Sequence, residues 1–355
     1  MLQKITSRAC LLWALVFTVA MAGMAVAQEV SGDPEFLPPG AKLEKLVDGD
    51  ANGLIFAEGP VVTCDNRVMW SDITFSSAGP DPKFGELRAG NIMEYDPATK
   101  KVSVYRSPSG MSNGLRIDLD CNLLAAEGAD YGGRRLTRTD LKTGRAYIVT
   151  ALYNGRPYNA LNDIAIDSKG RIYFSDPKYL GWEPVEQPGF AIYRVDTDHT
   201  VHRIITDAGK TNGVAICPDE KHIFVVSNDN GGLDFLQLTE GQGFYKGPMH
   251  LAMYDLDADG NASNRQILVD YYPEDGPDGL VCDADGDLWV AVRDATRPGI
   301  YAYRVEGNKA VEKAYIQTTI PTNVHFARGN STYLYITADN SLYGINTNKK
   351  GHHLQ

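Results

Sequence analysis

The chain has 355 residues, 43% of them hydrophobic, and carries a formal net charge of −11 at pH 7. Because the acidic balance is not interrupted by a basic block, nucleic acids and anionic membranes are disfavoured as partners. The length and apolar content are sufficient for a large folded core.

The amino-terminal segment has the pattern of a secretory signal peptide. Two basic residues precede an apolar run over residues 9–24, and small residues at 25–27 follow it. The run is shorter than the about 20 apolar residues that a membrane anchor requires. We therefore expect cleavage after Ala27, which would remove residues 1–27. The remaining chain, 28–355, is predicted to be one domain of a secreted or periplasmic protein without stable membrane association.

A short pattern recurs along the rest of the chain. An Asn, Asp or Glu, in most copies followed by Gly, precedes an apolar strand, a polar turn and a second apolar strand. Five clear copies and a degenerate sixth begin at Glu58, Asn113, Asn162, Asn212, Asp278 and Asn323. By subtraction, the copies are 55, 49, 50, 66 and 45 residues apart, which is the length of a four-stranded propeller blade with its loops. The sequence therefore predicts an all-β protein, a six-bladed β-propeller of four-stranded blades.

Each repeat ends in a predicted hairpin of alternating apolar and polar residues, such as NIMEYDPATKKVSVY. The sixth copy is one strand short, because only SLYGINTN follows its first strand pair. The segment AKLEKLVDG, residues 41–49, is predicted to supply the missing strand and close the ring.

The pattern Asp255-x-Asp257-x-Asp259-Gly260 resembles the start of a helix-loop-helix calcium loop. Its twelfth position is Gln266, where such loops need a bidentate Glu, and predicted strands flank it. A hairpin turn is therefore the better interpretation.

Four cysteines remain after cleavage of the predicted signal peptide: Cys64, Cys121, Cys217 and Cys282. An even number in an exported chain permits up to two disulfides, in any of three connectivities. Free buried thiols are an equally ordinary alternative. No Cys-x-x-Cys pattern indicates a metal site.

The residues that begin the six copies are candidate metal ligands. The innermost strands of a propeller line its central channel, so residues at their starts are expected at one level of the channel mouth. Two carboxylates and four amides would form a ring of hard oxygen ligands, which suits Ca²⁺ or a similar divalent cation. The alternative is that Asn-Gly and Asp-Gly only form turns, but turn formation alone does not explain the same residue class in every copy.

The motifs EGPVVTCDNRVMWSDI, SNGLRIDLDCNLLAAE, LNDIAIDSKGRIYFSDP, TNGVAICPDEKHIFVVSN and PDGLVCDADGDLWVAV resemble successive blades of the SMP-30/gluconolactonase/LRE-like family. The resemblance covers nearly all of the chain after residue 27. It implies a six-bladed propeller with one divalent cation at the channel mouth, most simply Ca²⁺, with Zn²⁺, Mn²⁺ and Mg²⁺ as alternatives. Carried over by motif, the implied metal ligands are Glu58, Asn162, Asn212 and Asp278.

Three further residues are predicted to contact substrate: Asn113, Asp163 and His325. Asn113 lies in the Ser-Asn-Gly motif of blade 2, Asp163 adjoins a predicted ligand, and His325 follows Asn323 in blade 6. Asp278 is the candidate proton acceptor, because it is charged and would adjoin the cation. Val61 replaces a Trp common in the family, and the loop between Asp72 and Asn91 is predicted to overhang the mouth.

The resulting functional prediction is a metal-dependent hydrolase that opens a small, sugar-type lactone. A polarised carbonyl and an activated water would account for the reaction. Two alternatives are an organophosphate or aryl-ester hydrolase using the same site, and a propeller that binds calcium without catalysis. A strictosidine-synthase-like reaction is less favoured, because those propellers generally lack this ligand set. The substrate, the physiological metal and the oligomeric state are left open by the sequence.

Overall fold

The structure is a computed structural model that describes residues 28–230 and 247–354. The predicted signal peptide lies outside the described residues. Six antiparallel sheets follow one another along the chain, and the inner strand of each sheet packs against the inner strand of the next, including the last against the first. The fold is therefore the predicted six-bladed β-propeller.

Blades 1 to 3 each contain four strands, which run in order from the channel outward. Blade 1 consists of Ala57–Val62, Val68–Asp72, Asn91–Asp96 and Lys101–Arg106. Blade 2 consists of Ser112–Ile117, Leu123–Glu127, Arg135–Thr139 and Ala146–Thr150. Blade 3 consists of Ile164–Ile166, Ile172–Ser175, Ile192–Val195 and Val201–Ile205.

Blades 4 to 6 continue the same order. Blade 4 consists of Thr211–Ile216, His222–Asn228, Met249–Leu256 and Ala262–Asp270. Blade 5 begins with Pro277–Cys282, Leu288–Val292, Gly299–Glu306 and Lys309–Gln317. Blade 6 begins with Pro321–Phe326, Tyr333–Ala338 and Ser341–Asn346.

Few other elements occur among the described residues. They are the short helices Gly49–Asn52 and Ser76–Ala78 and a two-stranded ribbon of Leu152–Tyr153 with Arg156–Pro157. No helix in this part of the chain is long and apolar enough to cross a membrane.

The hydrophobic core lies between neighbouring blades. Every residue of the inner strands of blades 4 and 5 is buried, whereas the fourth strand of blade 5, Lys309–Gln317, is exposed or half-buried over its first five residues. Inner strands are covered on both faces by adjacent blades, which explains their nearly continuous apolar sequences. Trp70 and Trp289 are fully buried within this core, so the blades hold the channel walls rigidly.

The amino-terminal segment closes the propeller, as predicted. Strand Glu44–Val47 pairs antiparallel with the last strand of blade 6, with Glu44 opposite Gly344. An addition that the sequence analysis did not anticipate is strand Val30–Gly32, which pairs with the outer strand of blade 5. The same segment therefore joins two successive blades.

Two disulfides select one of the three connectivities. Cys64 pairs with Cys121 between blades 1 and 2, and Cys217 pairs with Cys282 between blades 4 and 5, with Cα–Cα separations of 5.9 and 5.3 Å. Each bond joins adjacent blades close to the ends of their inner strands.

The Asp-rich segment of blade 4 is a hairpin turn, as expected. Asp257 Oδ1 accepts hydrogen bonds from the backbone N–H groups of Asp259 and Asn261 at 2.9 and 2.8 Å. Its strands are the third and fourth of the blade, so this segment is not a helix-loop-helix calcium loop.

Candidate active site

The predicted ring residues lie at the mouth, the end of the channel where the inner strands begin. Glu58, Asn113, Asn212 and Asp278 are each the second residue of an inner strand, and Asn162 lies two residues before the inner strand of blade 3. The strand registers are equivalent in these four blades. In each blade, the residue that precedes the ring residue is paired with a residue at or next to the end of the second strand. Five of the six predicted ring residues therefore lie at equivalent positions of their inner strands.

Blade 6 differs from the predicted ring by one residue. Its register places Thr322, and not Asn323, at the position equivalent to Glu58. The Thr322 hydroxyl is fully buried and lies 2.8 Å from the carbonyl oxygen of Ala57, to which it donates. The side chain that blade 6 places at the ring position, Thr322, is therefore engaged in a hydrogen bond to blade 1 and is a poor candidate for a metal ligand.

The recurrent glycine after the ring residue is explained by close packing between blades. A Cβ on Gly114 would lie 2.6 Å from the carbonyl oxygen of Asn162, and one on Gly213 would lie 2.7 Å from that of Asp278. Glycines 59 and 279 are similarly crowded by blades 2 and 6. Of these four glycines only Gly59 has a positive φ, 54°. Turn conformation therefore does not account for the pattern, whereas the approach of neighbouring inner strands does.

Two polar side chains take the place of this glycine in blades 3 and 6: Asp163 and Asn323. Asp163 Oδ1 accepts from its following residue, Ile164 N, at 2.8 Å, and Oδ2 accepts from Val214 N of blade 4 at 3.2 Å. Arg116 of blade 2 approaches to 4.0 Å. Burial raises the pKa of Asp163, while Arg116 and the hydrogen bond from Asn323 oppose that rise. Asp163 thus connects four blades across the channel.

Two buried carboxyl groups, Glu58 and Asp278, carry like charges at the mouth. Each is 3% exposed. Burial and the Asp278 charge raise the pKa of Glu58 well above its usual range, although Gly59 N donates to Glu58 Oε2 at 2.7 Å. Burial also raises the pKa of Asp278, while Arg293 opposes this, with Nη1 donating to Asp278 Oδ2 at 3.1 Å. The two carboxylates therefore repel each other in a region with little water.

These donors fit a hard divalent cation. The Asn212 side chain lies close enough to Asp278 to oppose the rise in its pKa, and Asn162 is buried at the same level of the mouth. Two carboxylates and two amides supply the oxygen ligands that Ca²⁺ prefers. A cation would also relieve the repulsion between Glu58 and Asp278 that raises the pKa of Glu58. The predicted ligand set is therefore chemically consistent, and its occupation remains a prediction.

A second acidic cluster lies elsewhere, on blade 5 and the chain ends. Glu35, Asp285 and Asp287 place carboxylate oxygens within 4.8 Å of one another. The ammonium of Lys349 lies 2.8, 2.9 and 3.0 Å from these three groups. Since Lys349 pairs with all three carboxylates and Arg304 pairs with Glu35 and Asp287, the cluster is a weaker candidate for a metal than the mouth.

A small cavity of about 40 Å³ adjoins the ring. Asn113 and Asn162 line it on one side, and its other walls are mostly apolar, formed by Ile73, Met111, Ala129, Ala160, Leu161, Tyr179 and Leu180. The Asn113 Oδ1 atom is buried and has no hydrogen-bond partner among the residues that the structure describes. An unpaired acceptor beside a cavity is costly unless a ligand or water satisfies it, so Asn113 is well placed to contact substrate.

A model of the SMP-30/gluconolactonase/LRE-like region matches residues 56–340. The chain belongs to this family. It is 25% identical over 284 residues to a gluconolactonase of Zymomonas mobilis, covering 72% of this chain and 69% of the relative. A solved gluconolactonase from Xanthomonas campestris superposes with a TM-score of 0.70 at 22% identity, covering 90% and 95% of the two chains. The calcium-binding protein regucalcin from Agrobacterium tumefaciens superposes with a TM-score of 0.61 at 17% identity, covering 84% and 92%.

His325 does not lie beside the ring in this family member. The structure places it in a separate cavity at the opposite end of the inner strands, together with Arg116 and His353. The physical reason is strand geometry: His325 follows the ring position, Thr322, by three residues, which corresponds to about 10 Å along a strand. The prediction that His325 faces substrate at the mouth is therefore corrected.

Two site residues were missed by sequence reasoning: Arg293 and Tyr179. The Tyr179 hydroxyl donates to the Asn228 carbonyl at 3.0 Å and hydrogen-bonds Asn212. Arg293 directly follows the second strand of blade 5, whose end pairs with the start of the inner strand. A search for polar residues at or just after the ends of the second strands could have found Arg293. An antiparallel hairpin brings such residues to the mouth, beside the start of the inner strand.

The loop between Asp72 and Asn91 overhangs the mouth, as predicted, and is tied to the next two blades. Ser76 N donates to Asp130 Oδ2 at 2.6 Å, and Asp130 N donates to Glu183 Oε2 at 3.0 Å. Trp182 Nε1 donates to Ser76 Oγ at 3.2 Å. Three loops therefore form one continuous rim above the apolar cavity.

Proposed function

We propose that this protein is a hydrolase of small, sugar-type lactones that uses one divalent cation, most simply Ca²⁺. The cation would be held by Glu58, Asn162, Asn212 and Asp278. The observation that carries the proposal is the pair of buried carboxylates, together with amides at equivalent strand starts, beside a small cavity. Family membership and the gluconolactonase relatives support the reaction class.

A bound cation would polarise the lactone carbonyl and favour ionisation of a nearby water. Asp278 is the proposed proton acceptor, because its carboxylate lies in the ligand set and is buried. Arg293 stabilises the ionised form of Asp278 through its contact at 3.1 Å and fixes the orientation of that carboxylate. Asp163 is a positioning residue, since its hydrogen bonds hold the inner strands of neighbouring blades together.

Asn113 is proposed to orient the substrate. Its unpaired Oδ1 atom can accept a hydrogen bond from a substrate hydroxyl, and it borders the cavity that adjoins Asn162. A polyhydroxylated lactone supplies such donors. The loss of one hydrogen bond of this kind typically costs about 1 kcal/mol, which would appear mainly in substrate affinity.

The apolar wall of the cavity favours one alternative substrate class. Ile73, Met111 and Leu161 could contact an aryl group, so an aryl ester or organophosphate would fit the same chemistry. A non-catalytic calcium-binding propeller is the remaining alternative. Turnover distinguishes all three.

We further propose that residues 1–27 are a signal peptide and that the remaining chain is one exported domain. Two inter-blade disulfides support an oxidising compartment. Amino-terminal sequencing of the protein recovered from a periplasmic fraction should begin at Gln28. Recovery of full-length protein in the cytoplasm would contradict this proposal.

The decisive experiment is a substrate panel of sugar lactones, aryl esters and an organophosphate. Each is assayed after chelation and after addition of Ca²⁺, Zn²⁺, Mn²⁺ or Mg²⁺. Lactone turnover that chelation abolishes and a cation restores is expected. An Asp259→Asn variant serves as control, because Asp259 lies in the exposed turn of blade 4. Turnover unaffected by chelation, or no turnover of any substrate, would contradict the proposed function.

A further inference from the structure

Arg293 lies at the mouth on the side opposite Asn113, because blade 5 faces blade 2 in a ring of six blades. Its backbone N–H donates to Gly276 O at 3.3 Å, just before the inner strand of blade 5. Its guanidinium lies beside the ring, since Nη1 donates to Asp278 Oδ2 at 3.1 Å. The side chain is nevertheless 33% exposed. Arg293 therefore presents part of its guanidinium to a molecule that enters the mouth.

The Arg293 side chain extends from blade 5 past blade 6 toward blade 1. Its guanidinium carbon lies 5.9 Å from the ring centroid of Phe56, the residue before the inner strand of blade 1. Blade 6 lies between these two blades, and the side chain at its ring position, Thr322, is buried and donates to Ala57 O. The guanidinium therefore lies on the side of the mouth where the ring residue of blade 6 is turned away, across from the apolar cavity.

Several donors of this guanidinium are not used within the protein. A guanidinium carries its N–H donors in a planar fork, and Asp278 contacts one nitrogen, Nη1. Among the described residues, Nε and Nη2 make no hydrogen bond. If Arg293 only neutralised Asp278, a point charge such as that of Lys would serve as well. The unused edge of the fork is suited to an oxyanion, which it could bind through two parallel hydrogen bonds.

The charge at the mouth favours an anion once the proposed cation is bound. Glu58 and Asp278 contribute two negative charges when both are ionised, and Arg293 contributes one positive charge. One level below, Asp163 is paired with Arg116 at 4.0 Å. A divalent cation would leave the mouth with one net positive charge, whereas without it the net charge is negative. The inference below therefore rests on the proposed function.

We propose that Arg293 forms a subsite for an anionic substituent of the substrate, a carboxylate or phosphate at the end remote from the lactone carbonyl. The carbonyl would lie at the cation, a hydroxyl would donate to Asn113 Oδ1, and the anionic group would accept from Nε and Nη2 of Arg293. Hydrogen bonds of this charged kind are roughly twice as strong as neutral ones. The substrate class is thereby narrowed to sugar lactones that carry an acidic group.

The test compares three substrates of the calcium-loaded protein, the 1,5-lactones of gluconic, glucaric and 6-phosphogluconic acid, after subtraction of spontaneous ring opening. Their terminal carbon carries a neutral hydroxyl, a carboxylate and a phosphate ester, respectively. In the parent, kcat/KM for at least one anionic lactone should exceed that for gluconolactone about tenfold or more. In Arg293→Lys, which keeps the charge without the fork, this ratio should fall about fivefold or more. A role limited to orienting Asp278 would slow all three lactones alike and leave the ratio unchanged.

Arg145→Lys is the matched control, because Arg145 is exposed just before the fourth strand of blade 2, and it should keep the ratio of the parent. Should Arg293→Lys fail to fold, Arg293→Gln takes its place and should lower the ratio at least as far. A second measurement needs no turnover. In calorimetric titrations of the calcium-loaded protein, sorbitol 6-phosphate should bind the parent more tightly than sorbitol does, and Arg293→Lys should weaken this binding about fivefold or more.

Preference for glucarolactone, for the phosphorylated lactone or for both supports the subsite and identifies its anion. Preference for gluconolactone in the parent, or the same ratio in Arg293→Lys and the parent, would overturn the subsite and leave the proposed hydrolysis intact. If no lactone is turned over, the proposed function fails and the titration with sorbitol 6-phosphate alone decides the subsite. Equal binding of this ester by Arg293→Lys and the parent would then overturn it.

Discussion

Asp163 and Asn323 occupy the same register position in opposite blades, and Asn323 lies close enough to Asp163 to oppose the rise in its pKa. Each also accepts from the N–H of its following residue at 2.8 Å. At this level the other four blades carry glycine. These two polar side chains therefore lie at the level between the ring residues and the cavity that contains His325.

Asp278→Asn should reduce lactone turnover about 100-fold or more, because it removes both a negative ligand and the proposed proton acceptor. Asn113→Ala should instead raise the Michaelis constant about fivefold, with a smaller effect on turnover, since it removes one neutral hydrogen bond to substrate. Steady-state kinetics and metal content of the two variants test this. Normal turnover and normal metal content in Asp278→Asn would show the assignment to be wrong.

The Glu58→Gln substitution should raise the unfolding temperature of the metal-free protein and weaken the binding of Ca²⁺. The folded-state pKa of Glu58 is raised, so its contribution to stability is fully present below about pH 4.5 and is lost as pH rises through the folded pKa. In chelator at neutral pH, the glutamine variant should therefore unfold at a higher temperature than the parent. With Ca²⁺ it should bind the cation about tenfold more weakly and lose this advantage. Thermal unfolding at several pH values, with and without Ca²⁺, measures both effects.

A parent protein that is more stable than Glu58→Gln in chelator at neutral pH would argue against an uncompensated carboxylate at the mouth. Glu306→Gln is a suitable control, since Glu306 is exposed near the outer edge of blade 5. Its unfolding temperature should respond to chelation as that of the parent does, because the proposed metal ligands are unchanged.

His325→Gln should leave the Michaelis constant and the turnover rate for the lactone within about twofold of the parent, a change of less than about 0.5 kcal/mol. The reason is that His325 lies in a separate cavity at the opposite end of the inner strands from the ring residues. Kinetics over a range of substrate concentrations test this expectation. A large rise in the Michaelis constant would place His325 in contact with substrate after all.

Replacement of Cys64 and Cys121 together by Ser should lower the free energy of unfolding by about 2–4 kcal/mol. The bond joins residues that are 57 positions apart and crosses from blade 1 to blade 2, so its loss releases a long loop in the unfolded chain. Denaturant unfolding of the double variant measures the difference. The parent treated with reductant should lose at least as much stability, because reduction also opens Cys217–Cys282, and unchanged stability in both would contradict a stabilising role.

The repeat pattern was sufficient to predict the propeller and five ring positions, because blade spacing and alternating strands determine both. Asn323 was misplaced by one residue because it was aligned by its amide, whereas packing aligns the apolar Val324 with Val214 and Leu280. Arg293 was missed because it reaches the mouth from a second strand. Disulfide pairing depended on which turns of adjacent blades face each other, which cysteine count cannot determine.

The close packing at Gly114 and Gly213 limits how this scaffold can be re-engineered. Any larger side chain there would push a neighbouring blade outward and displace the ring residue beside it. The diameter of the mouth is therefore fixed by backbone contact, and mutagenesis of the inner strands offers little room for new specificity. The loops over residues 73–90 and 176–191 meet at the rim, where Trp182 donates to Ser76. Libraries that vary the length and sequence of these two loops but keep Tyr179, which lies beside Asn212, should change the accepted substrate while the ligand geometry stays intact.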